Sequence, residues 1–384
     1  MKKKLSATII FFIVIVVCMS MLTACFGSGS LSGGSLSGGN DDNSAQKPEF
    51  ASGSGSESDP YIIEKDYQWS NIAKHPDAFF EISADINLGD YKTVAPIGNS
   101  ETPFSGTIDG KNHTISGATI RANHNAALFG ITSGATISNL KLANSSVALQ
   151  KDYSDGEYMS SFVAIARKGT HIENCSVDNV SISWSSKTSY FVMVGGFVGS
   201  LESVSSVVCC STNVKISLNE GNWLYPGFYV GGFARLVSGS TIDCCSASGS
   251  MTFGHYAGSY VMQIGTIVDR VINSDITNMC VEMNINVGPS IDVYTIAGTV
   301  DNEPSIKYCM NFSSYQRATQ GRYKKCDIIS NASEDVNIYF SSSQYAYAND
   351  TLDRSIWQDN EFWKKGKVHP ELISYSAYLE LKNE

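Results

Sequence analysis

No catalytic set stands out, and the weaker alternative for bond-breaking chemistry is Glu173 and Asp243, at one position of a recurring motif, with Arg235 and Asp269 at another. Two carboxylates flanking a glycosidic bond supply an acid and a base or nucleophile. An arginine base beside Ca²⁺-holding carboxylates would instead suit a polysaccharide lyase, and Arg167, Lys168, Arg235, Asp269, Arg270 and Asp301 gather at one turn position. The same charges also make an ion-pair ladder on a solvated turn, which is the favoured reading. Apart from Cys18 and Cys25 there are eight cysteines: 175, 209, 210, 244, 245, 280, 309 and 326. No CxxC or His-x-x-x-His is present, and the six histidines are scattered, so no metal and no cofactor is expected. Gly-x-Ser-x-Gly and His-Glu-x-x-His are absent as well.

The elements that would position these groups follow from a repeat. Residues 137, 172, 207, 242, 276 and 306 head similar segments, Thr136-Ile137-Ser138-Asn139-Leu140 being the first, at intervals of 35, 35, 35, 34 and 30. A second marker runs out of phase with the first: Leu128-Phe129-Gly130, Phe162-Val163, Gly195-Gly196-Phe197-Val198-Gly199, Gly231-Gly232-Phe233 and Gly265-Thr266-Ile267. Each unit alternates short β-branched runs with Gly, Ser and Asn turns, without a helix-length period. Such units bury a continuous core only by stacking as coils of a parallel β-solenoid, with equivalent residues one strand spacing, roughly 4.8 Å, apart.

Columns can then be read. Ile137, Ile172, Val207, Ile242, Ile276 and Ile306 form an inward aliphatic ladder; Leu140, Cys175, Cys210, Cys245, Met279 and Cys309 form another. Cys209 stacks on Cys244 and Cys210 on Cys245, close enough for inter-coil bridges, although a column of reduced, buried thiols is favoured. Glu173 and Asp243 are two coils apart, roughly 10 Å, with Val208 between them. The longer turns before the Gly-Gly-Phe strands gather Trp184, Trp223, Tyr225 and Tyr256 with other rings, a row suited to stacking on sugars or gripping a protein. Trp184→Ala and Trp223→Ala are expected to weaken binding and leave stability nearly unchanged.

Residues 1–24 read as a signal peptide: three lysines, an apolar run, then Leu22-Thr23-Ala24-Cys25. This site resembles the bacterial lipobox, which implies a lipidated Cys25 as mature N-terminus on the extracytoplasmic face. Residues 25–58 are a Gly/Ser-rich tether. The chain has 384 residues, 42% hydrophobic and only 17% charged, favouring a β-rich fold over charged helical bundles. Removing three lysines from 27 basic residues leaves 24 against 37 acidic ones, net −13, so nucleic acid and anionic lipid are poor partners.

The segments Ser54–Ile63, Phe79–Leu88, Pro96-Ile97-Gly98 and Pro103–Ile115, with the Gly-Gly-Phe-Val-Gly and Ile-x-Asn-Cys units, resemble bacterial surface proteins carrying GLUG-motif repeats. The resemblance spans roughly residues 53 to 310 and implies a right-handed parallel β-helix on an exported, surface-attached protein. Thr266 and Thr299 are read as replacing the phenylalanine in later coils. The expectation is therefore an all-β right-handed parallel β-helix over 59–332 with coils of about 35 residues, and a C-terminal cap over 333–384 in which Trp357, Phe362 and Trp363 close the core. A lipid-anchored adhesion or binding protein for glycan or protein, preferring a neutral or cationic ligand, is favoured over a polysaccharide lyase or glycoside hydrolase, because repeats and rings are evident and a catalytic constellation is not.

Overall fold

The computed structural model describes residues 47–150, 157–185, 192–219, 228–253, 262–287, 291–317 apart from 295, 303, 308 and 312, and the short stretches 337–339, 363–364, 371–372 and 375–382. From Pro48 onward the chain forms one compact unit. Its body is a parallel β-solenoid with sheets of 19, five and six strands. Ile137 pairs in register with Ile172, that with Val207, and so on through Ile242, Ile276 and Ile306. Upstream the same column continues through Ile108 to Phe80, in coils that the intervals did not reveal. These residues are 4% exposed or less, the aliphatic ladder expected from the repeat.

Each unit turns beside this ladder through a residue in the left-handed region: Asn139 (φ 54°), Asn174 (47°), Cys209 (51°), Cys244 (53°) and Asn278 (53°). Asparagine tolerates that conformation better than other side chains with a Cβ, and its amide also ties coils together. Asn174 Nδ2 donates to Asn139 Oδ1 at 2.7 Å, and Asn139 Nδ2 to Asp109 Oδ1 at 2.9 Å. Asn278 Nδ2 reaches back to Asp243 Oδ1 at 2.7 Å. The two cysteines interrupt this ladder.

The Gly-Gly-Phe marker is the corner between the five- and six-stranded sheets. A Cβ on Gly195 would lie 1.8 Å from the Val198 carbonyl oxygen, and one on Gly196 1.8 Å from that of Gly232 in the next coil. In this coil the backbone at Gly195 and Gly196 thus passes too close to its neighbours for a side chain. The third residue points into the core, where Phe129, Phe162, Phe197 and Phe233 stack at centroid spacings of 5.7, 4.8 and 5.1 Å. Offset-stacked rings contribute roughly 0.5–1.5 kcal/mol per pair beyond area burial. One assignment is corrected here: Ile267 and Ile296, not Thr266 and Thr299, continue the phenylalanine position. Thr266 stands at the second glycine, with its hydroxyl donating to Tyr294 O at 2.7 Å, and Thr299 pairs with Arg270 in the adjoining strand.

The first coils are less regular and include a 3₁₀ helix, Asp66–Lys74, whose Trp69 and Ile72 are buried. At the other end Asn337–Tyr339 stacks in parallel on Cys309–Asn311, so the ladder continues inside the segment expected to be cap. Beyond it an antiparallel pair, Trp363–Lys364 with Glu371–Leu372, precedes the helix Tyr375–Lys382. Trp357 and Phe362 lie outside the described residues.

Candidate functional site

In the strands of the five-stranded sheet, alternate residues face away from the core. Tyr158, Met193, Tyr229 and Gln263 stack in register as one partly exposed column. Across the corner this column lies against residues of the six-stranded sheet. A Cβ on Gly199 would lie 3.0 Å from the Tyr158 side chain, and one on Gly298 2.7 Å from that of Gln263. Between these glycines stand Arg235 and Asp269, with Arg235 Nε 3.4 Å from Asp269 Oδ2 and side chains only 11% and 2% exposed. The guanidinium carbon sits 5.0 Å from the centre of the Tyr229 ring, a cation–π contact. Arg235 Nε and Asp269 Oδ1 are both buried without a hydrogen-bond partner. Burial pushes the Asp269 carboxyl up to about 7, against the opposing pull of Arg235 and Arg270.

The remaining members of the predicted charge column separate. Arg270 Nη2 pairs with Asp301 Oδ2 at 2.6 Å on the surface, the ion-pair ladder expected of a solvated turn. Glu173 and Asp243 sit on the 19-stranded sheet, each opposite Val208 from one side, as the repeat register requires. They do not form a working pair. Asp243 Oδ1 accepts from Thr277 Oγ1 and Asn278 Nδ2, each at 2.7 Å. Glu173 Oε2 lies 3.2 Å from His171 Nε2, and His171 Nδ1 lies 2.7 Å from Ser206 Oγ. That Ser206–His171–Glu173 chain has the order of an activated-nucleophile relay, which the sequence reading missed. It stands on a strand surface where the Ser206 amide already donates to Thr170 O at 2.9 Å, so that amide cannot serve an oxyanion. The four predicted catalytic residues thus divide between two sheets.

Trp184 differs from the expectation. It is 6% exposed and meets Phe228 edge-on, with centroids 5.4 Å apart, so it covers the core. Phe228, 2% exposed, packs inward. Trp223, Tyr225 and Tyr256, like Cys25, lie outside the described residues.

Cys175, Cys209, Cys210, Cys244 and Cys245 are free thiols. Cys175, Cys210 and Cys245 are at most 2% exposed, and each thiol donates to a carbonyl two residues earlier, at 3.1–3.2 Å. The Cys175 amide donates to Cys210 Sγ at 3.4 Å and the Cys210 amide to Cys245 Sγ at 3.3 Å. Burial raises all three thiol pKa values. Cys209 and Cys244 occupy the turn column instead, hydrogen-bonded to each other, Cys209 partly exposed.

A cleft of about 540 Å³ opens near the first coils, lined by Pro96, Asn99, Arg121, Asn123, His124, Asn125, Gln150 and Glu157 among others. His124 Nδ1 lies 2.5 Å from Glu157 Oε1, and the Asn125 amide donates to Glu157 Oε2 at 3.2 Å. The sequence held one signal for it. Glu157 aligns with Val192 and Phe228, a polar residue in an otherwise apolar column.

No protein-family model matches the chain, and no curated protein matches it. Among solved structures it is similar to a candidate immunoglobulin A1 protease from Bacteroides ovatus, with a TM-score of 0.55 and 20% identity over 84% of this chain and 95% of that one. A second, an IgA1 protease, gives a TM-score of 0.48 and 17% identity over 72% of this chain and 21% of the other. At 20% identity the first likeness is one of fold, extending over nearly the whole of that protein.

Proposed function

We propose that this chain is a lipid-anchored protein of the bacterial cell surface that binds an extended ligand, glycan or protein, along the corner of its solenoid. One observation carries the reading: Tyr158, Met193, Tyr229 and Gln263 recur once per coil on one outward line. Tyrosine rings with one apolar face and one hydroxyl suit both sugars and protein side chains, and Tyr158 and Tyr229, two coils or roughly 9.6 Å apart, would span about two sugar residues. Trp223, Tyr225 and Tyr256 precede these same strands in the sequence. Anchoring rests on Leu22-Thr23-Ala24-Cys25, and the GLUG-like repeats are consistent with display outside the cell.

The full chain, applied to glycan and protein arrays, should retain extended ligands better than single units. Tyr229→Ala should weaken retention about tenfold or more. Release of oligosaccharides from a polysaccharide panel would instead favour the hydrolase or lyase reading. Equal retention of monomers and long chains, unaffected by Tyr229→Ala, would refute the corner as the site.

A further inference from the structure

The cleft beside the first coils adjoins the end of the corner row, where Glu157 precedes Tyr158 in one strand, and its composition points to a ligand of its own. Glu157 stands where the next two coils have Val192 and Phe228, each 2% exposed. One coil earlier, the register set by Ala126 against Met159 places His124 opposite Glu157. An apolar column thus ends in an ionisable pair, although another apolar side chain would have continued the core. Glu157, its side chain only 14% exposed, has both oxygens engaged, one by His124 and one by the Asn125 amide.

Arg121 lines the same cleft and forms no ion pair among the described residues. Among the described residues its guanidinium therefore has no counter-ion, on a chain whose formal net charge is −10. Around it stand the amide side chains of Asn99, Asn123 and Gln150, groups that both donate to and accept from hydroxyls. A guanidinium matches a carboxylate in bidentate fashion. Among the described lining residues Glu157 is the acidic group and is already engaged, so a zwitterionic amino acid fits poorly. The volume is within the roughly 300–1,000 Å³ usual for small-molecule sites.

We propose that this cleft binds a carboxylate-bearing sugar residue, its carboxylate on Arg121 and its hydroxyls on the flanking amides, with the His124–Glu157 pair holding the wall in shape. One acidic residue on an otherwise neutral chain avoids the repulsion that the acidic protein exerts on a polyanion. The inference is independent of the corner, which could fail as a binding site without affecting it.

Titration calorimetry of the full chain with glucuronate, N-acetylneuraminate, glucose and inorganic phosphate tests it. The acidic sugars should bind at least tenfold tighter than glucose or phosphate. Arg121→Gln should reduce them to the level of glucose, Arg121→Lys should retain part of the difference, and the melting temperature should be unchanged in both. Equal affinity for glucose and glucuronate, phosphate binding as tight as glucuronate, or indifference to Arg121→Gln would each overturn the proposal.

Discussion

Two neighbouring cysteine columns show how one residue of offset changes chemistry. Cys210 and Cys245 point into the core, where burial keeps their thiols protonated and an oxidant cannot reach them. Cys209 and Cys244 sit one position earlier in left-handed turns, their thiols in contact and one of them partly exposed. With a low-molecular-weight disulfide as oxidant, we expect the Cys209–Cys244 bond to form, each sulfur giving up its proton while the oxidant is reduced to two thiols. Peptide mapping should find this link with Cys210 and Cys245 unmodified; a Cys210–Cys245 link would contradict the assignment. Asp269 makes a second residue-scale case. Its carboxyl titrates near 7 in the folded chain, so between about pH 4 and 7 the folded state holds a proton that the unfolded state has released. Stability from this group is complete below about pH 4 and falls as pH rises to 7. Asp269→Asn should remove that slope and leave the variant the more stable of the two at pH 8 by roughly 1–3 kcal/mol. A variant destabilised equally at every pH would mean that Asp269 is ionised throughout, as the partner of Arg235.

The corner is the element on which the fold turns. At Gly232 a Cβ would lie 2.0 Å from the Thr266 carbonyl oxygen, a backbone atom of the next coil. Gly232→Ala should therefore cost several kcal/mol, an overpacking penalty of at least the usual 1–3. Trp184 belongs to the same scale. Its ring closes the core against Phe228, so Trp184→Ala should cost roughly 3–5 kcal/mol. Denaturant titration distinguishes this from the sequence expectation of an unchanged midpoint and weakened binding.

For the whole molecule, stacking makes every coil depend on its neighbours, with the 19-stranded sheet running from Tyr61 to Tyr339. If the proposed anchor is correct, the mature chain begins at Cys25 and the tether carries the solenoid away from the membrane. Cys25→Ala should abolish lipid labelling and release the protein from the detergent phase; unchanged partitioning and mature mass would refute lipidation.

Periodicity alone was sufficient for the solenoid, because a parallel stack repeats its environment once per coil and the side chains must repeat with it. Ile137 to Ile306 and Phe129 to Phe233 were legible for that reason, as was the buried thiol column. The first coils, whose intervals are shorter, were not legible from the spacing. Sequence spacing places a residue in a column but does not say which way an adjoining turn folds, and so Trp184 was read as a solvent-facing ring. Nor does spacing show that two sheets meet in a way that lays Tyr229 over Arg235 and seals the Asp269 carboxyl from water. The cleft at His124 and Glu157 depends on the same kind of information. Its walls come from segments up to 62 residues apart, Ala95 to Glu157, and only the path of the chain between coils brings them to one place.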